Sequence, residues 1–224
     1  MKLGAPVMKQ ERAGAIAGLV FVVLLALAGG LGGKPPAAGD PASEITAYLA
    51  GHQTELEAGV WLLGLGVVAL TWWFGVFWMR KVNAEGSTHL AAVSLIGLVV
   101  AGPLALASAA VWATAANRVD ELGPSAAGFY VLGAMLLGAE GFGLAAHLAA
   151  NILAARTGML PSWLVGAGLL SAAGFLISAV LSGADFTSSG PLGLAAFVLW
   201  CAWILGVSYQ LWTGERSIPR AQPG

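Results

Sequence analysis

Three residues with useful chemistry stand in an apolar setting. Glu140, His147 and Asn151 all lie within GAEGFGLAAHLAAN, residues 138–151. The seven-residue step from Glu140 to His147 is about 20° short of two helical turns, and Asn151 follows one turn later, about 40° away. The three side chains therefore project from one helical face as a column. A carboxylate in hydrocarbon costs about 2.5–3.5 kcal/mol. That cost falls if the acid is protonated or if a partner hydrogen-bonds it. Such a face must point into protein or toward water. Gly138, Gly141 and Gly143 strip side chains from the neighbourhood of Glu140. They let another helix, a water or a ligand approach, and they weaken the helix locally.

Three kinds of chemistry fit the column. The first is a proton or small-solute pathway, with Glu140 titrating and His147 as relay. The second is a metal or haem site. Glu140 and His147 stand about 10 Å apart along the helix axis, too far to share one ion. A bis-histidine haem would need His89 and His147, so the expectation is no metal and no cofactor. The third is structural, with the column bonded to groups on other helices. Thr71, Ser94, Ser108, Ser171, Ser178, Ser208 and Gln210 are the candidates. The chain carries no G-x-S-x-G elbow, H-E-x-x-H, P-loop or Rossmann fingerprint, and GAEGFG lies mid-span with no strand before it. The expectation is that the protein is not an enzyme. Cys201, the single cysteine, excludes an intrachain disulfide and reads as a small apolar filler.

The elements that position the column follow from composition. Of the 224 residues, 58% are hydrophobic and only 9% charged, whereas soluble domains carry roughly a quarter charged residues. The charges cluster, leaving six apolar runs at roughly 13–33, 58–79, 90–115, 126–154, 161–183 and 191–213. Each is long enough to cross a hydrocarbon core of about 30 Å as a helix. The fold class is thus all-α: one polytopic membrane bundle of six transmembrane helices over 1–224. The first run is longer than a signal-peptide core of about 7–15 residues and is read as a retained helix. A net charge of −1 gives no reason to expect nucleic acid.

Orientation follows from the basic residues. With the N-terminus inside, the cytoplasmic segments hold Lys2, Lys9, Arg12, Arg80, Lys81, Arg156, Arg216 and Arg220, against Lys34 and Arg118 outside. That bias places both termini in the cytoplasm. In the first outside loop, Asp40-Pro41 reads as an N-cap followed by proline at the first helical position. Beyond it, Ile45, Leu49, His52 and Leu56 share one face. This segment is either an amphipathic helix at the membrane surface or an extension of the second span, and a bend near Gly51 favours a separate helix.

Small residues crowd the spans, and Gly14-x-x-x-Gly18 suits close helix packing within the bundle or in a dimer. Pro103 should kink the third span. Trp72, Trp73 and Trp78, followed by Arg80 and Lys81, read as a cytoplasmic interface anchor; Trp72 and Trp73 lie deeper and are also able to line a pocket.

AGAIAGLVFVVLLALAG, EITAYLAGHQTELEAGVWLLGLGVVALTWWFGVFW and TGMLPSWLVGAGLLSAAGFL together resemble small six-helix bacterial membrane proteins, including actinobacterial ones, that are grouped as a domain of unknown function. The resemblance implies a fold and a bacterial cytoplasmic-membrane location, and it supplies no catalytic residues. The sequence thus points to a non-enzymatic membrane-complex component, scaffold or sensor. The bilayer is its expected partner, alongside a membrane-protein partner or a second copy. The alternative is a small-molecule or proton-coupled transporter, or a lipophilic-ligand binder, with its pocket around Glu140.

Overall fold

The computed structural model describes residues 5–85, 88–155, 160–184 and 190–213. Among the described residues eight α-helices follow in order: α1 (Ala5–Leu31), α2 (Ala42–Gly51), α3 (Gln53–Glu85), α4 (Thr88–Asn117), α5 (Val119–Leu122), α6 (Ala126–Ala155), α7 (Ser162–Ala184) and α8 (Gly190–Thr213). A 3-10 turn, Gly123–Ser125, joins α5 to α6. Gly123 has a φ of 53°, a left-handed geometry that suits glycine at this turn. Six helices are long and apolar enough to cross a membrane, and they match the six apolar runs of the sequence. This is a multi-pass membrane protein.

The spanning helices form a ring in chain order. Helix α1 packs on α3, α3 on α4, α4 on α6, α6 on α7 and α7 on α8, and α8 returns to α1. The Arg12 guanidinium lies 5.4 Å from the centre of the Trp212 ring, so α1 begins where α8 ends. Arg80 Nη1 donates to the Gln210 carbonyl at 3.1 Å, bringing the end of α3 to the same place. This is the basic end. The opposite end carries α2, α5 and the exposed Arg118–Glu121 ion pair.

Aromatic side chains fill the ring over its basic half. Trp73, Phe77 and Trp203 are fully buried and meet in the centre, with ring centroids 5.3 to 6.0 Å apart. Phe21 of α1 packs edge-on against Trp200 at 5.4 Å. Burying such side chains excludes water, but in lipid the seams hold through close packing and hydrogen bonds. Gly14 and Gly18 supply that closeness inside the bundle. A Cβ on Gly14 would meet Val76 of α3, and one on Gly18 would meet Trp73 and Ser208. The G-x-x-x-G pair is therefore used between α1, α3 and α8. Pro103 lies within the assigned span of α4 and is exposed.

Helix α2 is separate from α3, with the break at His52. Its start differs from expectation. Pro41 occupies the N-cap position with φ −53° and ψ 138°, and no side chain caps the helix. Asp40 Oδ2 instead accepts the Ala37 N–H at 2.7 Å, holding the loop before the helix. The amphipathic reading also changes. Ile45 and Leu49 are fully buried against Ala115, Ala116, Val119, Ala126 and Tyr130, so the apolar face of α2 seats on the ends of α4 and α6 rather than in lipid. Tyr48 Oη donates to the Gly32 carbonyl at 3.1 Å and Tyr130 Oη to the Pro36 carbonyl at 2.7 Å. These bonds tie the 32–41 segment across this end.

Candidate functional site

The column on α6 divides into two parts. Its lower part is locked to α4. His147, Asn151 and Ser94 are all fully buried. The Ser94 hydroxyl donates to Asn151 Oδ1 at 3.1 Å. His147 Nδ1 lies 3.0 Å from Ser94 Oγ and 3.1 Å from the Ser94 carbonyl oxygen. Asn151 Nδ2 stands 3.1 Å from His147 Nε2. One proton arrangement satisfies these contacts: His147 is neutral with its proton on Nδ1, shared with Ser94, while Nε2 accepts from the Asn151 amide. A second proton on Nε2 would face another donor. Phe74 and Trp203 enclose the ring at 5.6 and 6.1 Å.

Close backbone approach makes this network possible. A Cβ on Gly97 would stand 2.6 Å from the Gly143 carbonyl oxygen, and one on Gly143 would stand 2.7 Å from that of Gly97. The two glycines let α4 and α6 touch one turn from Ser94 and His147. Gly138 and Gly141 serve the other neighbour, α7: their Cβ atoms would meet Ser182 at 2.8 Å and the Phe175 carbonyl at 2.9 Å. The glycines around Glu140 thus admit helices on both sides.

Glu140 stands apart. It shares the face of His147 but is only partly buried, and no described residue hydrogen-bonds or ion-pairs with its carboxyl. The reason lies one turn toward the acidic end. Leu137 is one turn from Gly133, which abuts Trp112 of α4, and one turn from Gly141, which abuts α7. It therefore points between these two neighbours, toward the centre of the ring. Yet Leu137 is 45% exposed, while Leu144 and Leu148 on the same face are 2% and 0% exposed. Helix α3 changes in the same way. Trp73 is sealed, and Leu62, about three turns along the same face, is half-buried. The ring centre is closed over its basic half, and the inward faces of α3 and α6 are less covered at the level of Leu62 and Leu137, one turn beyond Glu140. The α2 cap, with Tyr48 and Tyr130, lies beyond this less covered layer.

No family model, curated protein or solved structure matches this chain. Function therefore rests on the chemistry of these residues.

The remaining candidates are dispersed. His89 is exposed at the start of α4, while His147 is fully buried with both ring nitrogens engaged. Among the described residues, no group of three or more His, Cys, Asp or Glu is placed to hold a metal. Trp72 is 66% exposed, Trp78 half-buried and Arg80 half-buried at the basic end; the Lys81 side chain lies outside the described residues. Trp73 departs from the anchor reading. It is fully buried, and its Nε1 donates to Ser208 Oγ at 2.9 Å. Ser208 thus satisfies the buried Trp73 N–H, whereas the buried Trp200 and Trp203 indoles make no hydrogen bond among the described residues.

Sequence reasoning named Ser94 and Ser208 only as two of several possible partners. It missed Leu137 entirely. One available signal was the aromatic and aliphatic stripe Trp200, Trp203, Ile204, Val207 and Leu211, whose helical spacing marks one face of α8 as core.

Proposed function

We propose that this chain is a non-enzymatic component or sensor of the bacterial cytoplasmic membrane that binds a small lipophilic molecule in the open layer around Glu140. The observation that carries this reading is the exposure of Leu137 at 45% on a face that is sealed two turns away. Apolar walls with one convergent polar group are the usual composition of a small-molecule site. The layer holds Leu62, Leu137 and the carboxyl of Glu140, and it lies beneath a capped end and above a packed half. The basic end is assigned to the cytoplasm because Lys9, Arg12 and Arg80 gather there.

The test is labelling of Leu137→Cys and Leu148→Cys, each in a Cys201→Ala background, with N-ethylmaleimide in nanodiscs. Position 137 is expected to react at least about tenfold faster, as an open site does relative to a closed one. Equal rates would remove the open layer and the reading with it.

A second reading, contact with a membrane partner or a second copy, is supported by a groove of about 480 Å³ between α1 and α3, lined by Ile16, Val20, Leu65, Val68 and Trp72. Cross-linking through Val68→Cys distinguishes the two.

A further inference from the structure

We infer that the molecule taken by the open layer is a lipophilic amine, bound with its ammonium group against the Glu140 carboxylate; this rests on the open-layer reading above. Among the described residues of α4 and α7, the two helices packed against α6, none supplies a counterpart for its carboxyl. On α4, Ala101 faces Gly143, and Ser108 commits its hydroxyl to the Gly133 carbonyl at 2.8 Å. Between them α4 offers Ala105, which is buried. On α7 the contacts are the Phe175 carbonyl, Ala179 and Ser182, and the Ser182 hydroxyl donates to the Ser178 carbonyl at 2.8 Å. Among the described residues, no lysine, arginine or histidine is joined to the acid. Every other polar side chain on this face of α6 is bonded, as His147 and Asn151 are to Ser94.

An acid at mid-membrane with no cation beside it among the described residues can pass its proton to an incoming amine and hold the resulting ammonium. The attraction strengthens in a medium of low dielectric constant, and an ammonium donates hydrogen bonds that an acceptor-only carboxylate receives. The exposed apolar side chain of Leu137, one turn from Glu140, suits a hydrocarbon body, not a hydrated polar solute. An anionic amphiphile brings no cation to the acid, and a neutral alcohol would gain only an uncharged hydrogen bond.

The experiment uses three probes with one tail: n-octylamine, n-octanol and n-octanoate. Their binding to the full chain in nanodiscs is measured by scintillation proximity and compared with Glu140→Gln and with empty nanodiscs. Octylamine is expected to bind best. Glu140→Gln should weaken it by roughly ten- to a hundredfold, the share of a hydrogen bond to a charged group, and leave octanol unchanged. Glu140→Asp should restore part of the octylamine binding, which a purely structural role of the residue would not do. Gel filtration of each variant verifies folding. If octanol binds as well as octylamine and Glu140→Gln changes neither, the amine assignment is overturned while the open layer stands. If no probe binds and Leu137→Cys is also unreactive, the layer itself fails. If no probe binds but Leu137→Cys reacts, the layer stands and the amine assignment is overturned.

Discussion

Replacing Gly97 by alanine tests the α4–α6 seam directly. The added Cβ would stand 2.6 Å from the Gly143 carbonyl oxygen, 2.7 Å from His147 N and 3.0 Å from His147 Cα. All three are backbone atoms, so no side chain can swing away. Restoring ordinary contact parts the helices by about 0.8 Å at that point. Overpacking of this kind costs about 1–3 kcal/mol. The same displacement stretches the Ser94 bonds to His147 and Asn151, which lie one turn away at 3.0 to 3.1 Å. Side-chain hydrogen bonds between membrane helices contribute about 0.6–1.7 kcal/mol. The better helix propensity of alanine offsets up to about 1 kcal/mol. The net expectation is a loss of roughly 1–3 kcal/mol. Gly75 of α3 is the control, because it is exposed and a Cβ there meets nothing within 4 Å. Gly75→Ala should be neutral or gain up to about 1 kcal/mol. Both variants are unfolded by titrating dodecyl sulfate into mixed micelles and following tryptophan fluorescence. Equal midpoints for Gly97→Ala and Gly75→Ala would refute the reasoning.

Other residues give independent expectations. Ser94→Ala should cost about 0.6–1.7 kcal/mol in the same titration, because Asn151 Oδ1 loses its donor while His147 Nδ1 keeps the Ser94 carbonyl. Trp73→Phe should cost about 1 kcal/mol through loss of the bond to Ser208, and Trp73→Phe with Ser208→Ala should cost less than the two separate losses combined. Tyr130→Phe removes the bond to the Pro36 carbonyl, so amide exchange in residues 34–41 should quicken while exchange in α8 stays unchanged. Burial, and then the nearby Glu55 carboxylate, raise the Tyr48 phenol above its ordinary value of 10.0. Its contribution is thus fully present below that value and declines as pH rises through the folded one. Tyr48→Phe should flatten this alkaline loss of stability. Modification of a single cysteine at position 120 by an impermeant reagent from the cytoplasmic side would overturn the proposed orientation.

Much of this architecture is written in local patterns. The six spans are legible because apolar runs of membrane length need no knowledge of their neighbours. The common face of Glu140, His147 and Asn151 is likewise fixed by helical period. What period cannot supply is the partner across a seam. Ser94 was one hydroxyl among several, and only the approach of Gly97 to Gly143 selects it. Trp73 shows the same limit from the other side. Beside Trp72, Trp78 and Arg80 it reads as an interface residue, yet a turn of about 100° between consecutive residues separates an exposed Trp72 from a buried Trp73. Helix α2 has an apolar face in the sequence, but whether that face meets lipid or protein depends on where α4 and α6 end. The open layer at Leu137 was illegible for a related reason. A leucine toward the ring centre has the same identity whether the centre is filled or empty.

The ring in chain order bears on how the molecule is assembled. Five of its six seams join consecutive spanning helices, so each helix entering the membrane finds its first neighbour already in place. Loop closure between such neighbours is short, and the search is local. The α4–α6 seam, with its Ser94 network, belongs to this early group. The exception is α1 against α8, which must wait for the last helix. That helix also brings Trp200 and Trp203, the side chains that fill the centre against Phe21, Trp73 and Phe77. Until it docks, the chain is an open crescent whose inner aromatic surface faces lipid. Insertion of α8 closes the circle and completes the packed half in one step.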